Sequence, residues 1–136
     1  MAVNNDPVFA KTPKHAAAAV SAANTNLDGS GTVTTLLTAG ADGAIVTSLQ
    51  CWATATSTAK RCNLFISTDG GTSWKLHDSG LMAAYTVANT TVQSPVTFVD
   101  KLDPNDAVII PANAKIGCTV MVAEAVVFTA EYSDLS

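Results

Sequence analysis

The chain has 136 residues, which fits one domain, and only 13% of them are charged, roughly half of the usual share of about 25%. The net charge is −4 and the seven lysines and arginines are scattered, so the sequence lacks the basic stripe that nucleic-acid binding needs. No run approaches the ~20 apolar residues of a membrane-spanning helix, and the first residues do not resemble a secretory signal, so we expect synthesis in a cytoplasm and no membrane partner.

The first 14 residues are predicted to form an extended arm. They contain Asn4, Asn5, Asp6 and two prolines, which disfavour a regular helix or a central strand. Val8 and Phe9 are the apolar exceptions, and we expect them to contact a neighbouring subunit. The remaining residues, 15–136, are predicted to form a single domain.

Short β-strands separated by turns are predicted along the rest of the chain. The first, 14–25, contains an alanine run for which a helix is the alternative. In segment 44–55 the alternation places Ile45, Leu49, Cys51 and Ala53 on one face, while Ser79-Gly80 is expected to end a strand and Glu124 to mark a bulge or an edge. The other predicted strands are 32–39, 61–67, 73–78, 96–99, 108–110, 116–122 and 125–130, and 83–92 is a loop or a strand.

Strands this short, with turns every 8–12 residues or so, predict an all-β fold made of two antiparallel sheets. We favour a jelly-roll-like sandwich. An immunoglobulin-like sandwich is the alternative, although Trp52 directly follows Cys51 instead of lying well inside a cysteine interval.

Residues 67–74, Ser-Thr-Asp-Gly-Gly-Thr-Ser-Trp, resemble the Asp-box of sialidases and related propellers, S-x-D-x-G-x-[TS]-W. In those families the motif is a structural hairpin, and only that hairpin is carried over, because a propeller needs several copies and this chain has one. We expect Asp69 to cap the turn, Gly70 and Gly71 to adopt positive φ, and Trp74 to pack over the hairpin. Sialidase activity does not follow.

No catalytic, metal or cofactor site is predicted. His77-Asp78-Ser79 contains the residue types of a hydrolase triad, but triads are assembled from separate segments and there is no G-x-S-x-G elbow. The acidic loop around Pro104 has oxygen ligands that suit Ca²⁺, yet it does not match a calcium-binding loop and is interpreted as an Asx-rich turn. We therefore expect the protein not to be an enzyme.

Three cysteines, Cys51, Cys62 and Cys118, are interpreted first as small buried hydrophobic residues. The alternative is a disulfide formed in an oxidising medium, and the odd number would leave one thiol for a link between subunits. The aromatic residues offer a further alternative, since side chains of this type can stack on sugar rings. Those considered are Trp52, Trp74, Tyr85 and Tyr132.

Four stretches of the chain together resemble small bacteriophage virion proteins: residues 23–33, 36–43, 64–71 and 109–114. The resemblance implies a capsid decoration (cement) or tail-associated β protein, located on the capsid surface, with no catalytic residues to transfer. It also implies the major capsid protein and copies of this chain as partners, with a trimer as the expected oligomer. The alternative function is a receptor- or glycan-binding module of a tail fibre or head spike.

Overall fold

The structure, a computed structural model, describes residues 10–135 and contains nine strands and one single-turn 3₁₀ helix, Pro104–Asp106, within them. The strands are β1 (Ala10–Val20), β2 (Thr34–Thr38), β3 (Ala44–Ala53), β4 (Lys60–Ser67), β5 (Lys75–Met82), β6 (Val96–Val99), β7 (Val108–Ile110), β8 (Lys115–Val120) and β9 (Val126–Leu135). Within residues 10–135 there is no helix of the length and apolar character needed to cross a membrane.

The strands form two antiparallel sheets that pack face to face. The first sheet has the order β1-β9-β3-β6, with β7 also paired to β3, and the second has the order β2-β8-β4-β5. Pairing is therefore nested: β1 with β9, β2 with β8, β3 with β6 and β7, and β4 with β5. This nesting is that of a long hairpin wound into two sheets, which is the jelly-roll topology. The all-β prediction is confirmed.

The core lies between the sheets and is built from the inward-facing side chains of both. Phe128, Leu64, Met82 and Ile116 are almost completely buried there, and the Phe98 and Phe128 rings stack with centroids 6.3 Å apart. Alternation along each strand supplies these residues, because successive side chains point to opposite faces of a sheet.

The alanine run forms a strand and not a helix. Ala16 and Ala18 face the core from β1, and tertiary pairing with β9 overrides the helix propensity of alanine. Because β1 begins at Ala10, the predicted boundary at residue 14 falls inside this strand. Val8 and Phe9 lie outside the described residues.

The alternation predicted for β3 is wrong at its beginning. Val46, not Ile45, is buried in the core, whereas Leu49, Cys51 and Ala53 face inward as expected. A register shift between Val46 and Ser48 causes the change, because a bulge moves the inward set by one residue.

Other boundaries also differ from the prediction. Strand β5 continues through Ser79 and Gly80 to Met82, so these two residues do not end it. Segment 83–92, predicted as a loop or a strand, contains no strand and so follows the loop alternative, although Tyr85 forms an isolated bridge with Ser57. Glu124 lies in the loop between β8 and β9, where it binds Lys60, and is neither a bulge nor an edge.

Candidate functional site

The β4–β5 hairpin carries the Asp-box-like sequence, and its hydrogen bonds are local. Asp69 accepts bonds from the Ser73 backbone N–H (3.0 Å) and from the hydroxyls of Ser67 (2.7 Å) and Ser73. Gly70 and Gly71 have φ of 79° and 91°. Bonds from Ser73 and Ser67 stabilise the charged form, so the pKa of the Asp69 carboxyl is well below its usual range.

Trp74 packs against the outer face of the second sheet, beside the hairpin. A methyl group at Gly117 would lie 2.8 Å from Trp74 Cζ3 and 2.5 Å from Val33 Cγ1, so both side chains rest directly on the Gly117 backbone. This contact ties the hairpin to β8 and to the segment that precedes β2. Asp69 and Trp74 thus act within the fold, and neither adjoins a catalytic group.

The three cysteines are free thiols and are completely buried. Cys51 Sγ in the first sheet lies 3.8 Å from Cys62 Sγ in the second, far longer than a disulfide bond of about 2.05 Å. The hydrogen bond to Cys62 and burial raise the pKa of the Cys51 thiol, and burial raises that of Cys118 to about 12. The candidate disulfide is therefore not formed here, and the structure matches the interpretation of small buried hydrophobic residues.

His77, Asp78 and Ser79 do not converge as a triad. The Ser79 hydroxyl donates to Asn63 Oδ1 (2.9 Å) and accepts from Arg61 Nε, which leaves it bonded away from His77. The Ser79 hydroxyl is therefore engaged by Asn63 and Arg61 within the second sheet.

The acidic loop forms an Asx-type turn. Asp103 caps the 3₁₀ helix by accepting from the Asn105 N–H (3.0 Å), and Asp106 accepts from the Asp100 N–H (2.7 Å). Within residues 10–135 no group of three or more His, Cys, Asp or Glu side chains is placed to hold a metal ion.

The predicted sugar-stacking aromatics do not form a common platform. Tyr132 is in the core, Trp74 lies against Gly117, and the Tyr85 hydroxyl donates to the Thr91 carbonyl (3.1 Å). Trp52 is half-buried on the outer face of the first sheet.

The sequence did not reveal an ion pair between a buried lysine and a partly exposed glutamate. The side chain of Lys60 is completely buried, and its Nζ lies 2.6 Å from Glu124 Oε2. Thr58 donates both its backbone N–H and its hydroxyl to the same carboxylate. The bond from Lys60, and to a smaller extent those from Thr58, lower the pKa of Glu124. The same bonds connect the loop before β4 to the loop before β9. The only sequence signal was a glutamate within an apolar stretch.

The outer faces of the two sheets differ in their cover. Four outward-facing side chains of the second sheet are buried, Asn63, Phe65, Ser67 and Thr119. Val33 and Trp74 lie against Gly117 on this face, and residues 19–26 lie beside Thr119. The outer face of the first sheet has no such cover among residues 10–135, and it carries His15 and Ala17 of the edge strand β1 and Glu131 of β9 as exposed side chains. We call this surface the open face. Its central row is the aligned set Ala17, Thr129 and Gln50.

Comparisons with known proteins add little to this geometry. No family model matches the sequence, and no curated protein is similar to it. A solved structure, described as Eiger TNF from S. frugiperda, is similar at 7% identity over 90% of this chain and 93% of that chain, with a TM-score of 0.46. We draw no functional inference from a likeness this distant.

Proposed function

We propose that this protein is a virion structural protein, a capsid decoration protein that stabilises a phage head by contacts between subunits. The observation that carries the proposal is the open face, an uncovered sheet surface whose central row, Ala17, Thr129 and Gln50, is uncharged, on a chain whose charged share is low throughout. A free surface of a small domain is normally richer in charge, whereas the centre of a protein interface is depleted of it.

Exposed apolar side chains add support. Val92, Leu102 and Leu81 are 90%, 85% and 76% exposed, and Ile109 of β7, beside Ile45, extends the apolar character of the open face.

The mechanism is mechanical. A rigid sandwich presents one face to the major capsid protein or to another copy of itself, and many weak contacts act together because the shell repeats them at high effective concentration. A trimer is the oligomer that we propose, on the resemblance described above, and Val8 and Phe9 of the predicted arm would add a contact.

A capsid-binding experiment tests the proposal. Purified protein is mixed with shells assembled from the major capsid protein of the same genome, and bound protein is measured after sedimentation. We expect the wild type to co-sediment at a fixed ratio, Ala17→Arg on the open face to bind at least about tenfold more weakly, and the matched variant Ala41→Arg, in an exposed turn, to bind as the wild type.

Two results would contradict the proposal: no co-sedimentation of the wild type, or equal binding by both arginine variants. Removal of residues 1–9 leaves β1 whole and measures separately what the predicted arm contributes. If both arginine variants bind normally and the truncated chain does not, attachment depends on the arm and the open face has another role.

A further inference from the structure

A cavity of about 460 Å³ lies between the end of β1, segment 21–34 and the outer face of the second sheet. Its wall runs from Ala19 to Asn26 and is completed by Gly31, Thr32, Thr34 and Thr119. The volume lies within the range of about 300–1,000 Å³ that is usual for small-molecule sites.

The lining is polar but uncharged. Hydroxyls come from one serine and four threonines, side-chain amides from two asparagines, and the remainder is alanine, valine and glycine. No charged or aromatic side chain belongs to this wall. A charged ligand would find no countercharge, and a purely apolar one would leave the buried Thr119 hydroxyl without a partner.

One buried hydroxyl on the wall lacks a protein partner. Thr119 is 1% exposed, and its Oγ1 forms no hydrogen bond with any group of residues 10–135. Asn63 is paired with Thr119 across β4 and β8, and its Nδ2 is likewise buried and unpartnered within the described chain. Buried polar atoms without a partner are rare in native proteins, and of these two residues it is Thr119 that belongs to the cavity wall.

The neighbouring polar side chains bond to one another and not to Asn63 Nδ2 or Thr119 Oγ1. Asn63 Oδ1 already accepts from the Ser79 hydroxyl, and Ser79 in turn accepts from Arg61. The hydrogen-bonding groups that remain without a partner are the Asn63 Nδ2 amide, which can donate, and the Thr119 hydroxyl, which can donate and accept.

The opposite wall is held in place by Asn24, which is 9% exposed. Its Nδ2 donates to the carbonyls of Ser30 (3.1 Å) and Thr32 (2.9 Å), and its Oδ1 accepts from the Asn26 N–H (3.0 Å). Its backbone N–H donates to the Val120 carbonyl (2.8 Å), which fixes the segment to β8. The wall is therefore ordered by its own hydrogen bonds before any ligand binds.

We propose that this cavity binds a neutral, polyhydroxylated small molecule, a mono- or disaccharide, with Thr119 as a hydrogen-bonding contact at its floor. Hydroxyl-rich ligands match a wall of hydroxyls and amides, and their C–H surfaces suit the alanines of residues 19–23. A single bridging water occupies only about 30 Å³, far less than this cavity provides. The site is separate from the open face and goes beyond the proposed decoration function.

Titration followed by amide NMR tests the site in the full chain, with glucose, galactose, N-acetylglucosamine and maltose as probes. We expect at least one probe to shift the amides of residues 19–26 and 119 in a saturable way. Thr119→Val, which keeps the shape and removes the hydroxyl, should weaken that binding about five- to tenfold, while the matched variant Thr129→Val on the open face should leave it unchanged.

The threonine variants are near-isosteric, so both are expected to fold, and the dispersion of their amide spectra verifies this. Ala22→Trp, which fills the cavity from an exposed position, gives a second variant that should abolish the shifts. The proposal is overturned if no probe shifts these amides at up to about 50 mM, well above a Kd of about 1 mM, or if ordered water alone occupies the cavity. Shifts that persist in both Thr119→Val and Ala22→Trp would overturn it as well.

Discussion

The ion pair between Lys60 and Glu124 makes the stability of the protein depend on pH through a single carboxylate, that of Glu124. Lys60 is buried with its charge, and a buried cation is tolerated only when it is paired and hydrogen-bonded. Because the folded pKa of Glu124 lies below its ordinary value near 4.5, its carboxylate contributes stability that is fully present above that value. The contribution is lost as the pH falls through the lower folded pKa.

We therefore expect Glu124→Gln to lower the thermal midpoint at pH 7 and to flatten the decline of stability between about pH 5 and 3. Thermal melts across this pH range measure both effects. Glu131→Gln, at an exposed carboxylate on the open face, is the matched control and should melt as the wild type. Parallel pH profiles for wild type and Glu124→Gln would show that the pair does not contribute.

The cysteines also make a prediction at the scale of single residues. Because all three thiols are buried and the pKa values of Cys51 and Cys118 are raised, a thiol-specific reagent should react very slowly with the native protein at pH 7–8. After denaturation without reductant it should titrate three thiols per chain. A count of one would show that two of them are joined.

At the scale of elements, the β4–β5 hairpin depends on a side chain and not on its backbone pattern alone. Asp69 holds the Ser73 N–H, and this bond should protect that amide from hydrogen exchange. We expect Asp69→Ala to accelerate exchange at Ser73 and Gly71 by about tenfold or more, and Asp69→Asn, which keeps one acceptor oxygen, to have a smaller effect. Thr68→Ala, at the neighbouring exposed position, should leave the exchange rates unchanged.

Gly80 lies within strand β5, at a position that has no room for a side chain. A methyl group there would overlap Val96 Cγ1 of β6, so the glycine permits the close approach of the two sheets. Gly80 was interpreted as a strand breaker because local propensity disfavours glycine in strands. The reason for its presence lies in Val96 of the next strand, β6, which belongs to the opposite sheet.

A double-mutant cycle tests this contact. Gly80→Ala should destabilise the protein by about 1–3 kcal/mol through overpacking. Val96→Ala makes room for the new methyl group, so the double variant should be more stable than the sum of the single effects, by about 1 kcal/mol. Urea unfolding of the four proteins gives the coupling energy, and a value of zero would contradict the steric explanation.

For the whole molecule, the nested pairing makes almost every strand contact long in sequence. Ala10 pairs with Leu135, and Thr34 pairs with Cys118, while β4–β5 is the pairing between consecutive strands. Loop-closure entropy must be overcome before such contacts form, and folding of high-contact-order β proteins takes milliseconds to seconds.

We expect refolding from urea to have a main phase with a time constant longer than about 1 ms. Stopped-flow mixing with detection of tryptophan fluorescence measures it. If the long-range core forms in the rate-limiting step, the change in refolding rate divided by the change in stability should be larger for Phe128→Ala in the core than for Thr68→Gly in the hairpin turn. Complete refolding within microseconds would be inconsistent with this topology.

The sequence was sufficient for the fold class and for the local turns. Period-two alternation predicts strands because it reflects which side chains face a core, and Asp-Gly-Gly predicts a hairpin because its φ requirements are local. For the same reason the strand character of segments 61–67, 96–99 and 108–110 was predictable from the residues themselves.

The tertiary structure decided everything that depends on a partner far along the chain. The bulge in β3, the strand conformation of the alanine run, the pairing of Lys60 with Glu124, and the burial of Asn63 and Thr119 all come from segments brought together by the nested topology. Burial and hydrogen bonding across the two sheets set these features, and their energies are not encoded in any single stretch of sequence.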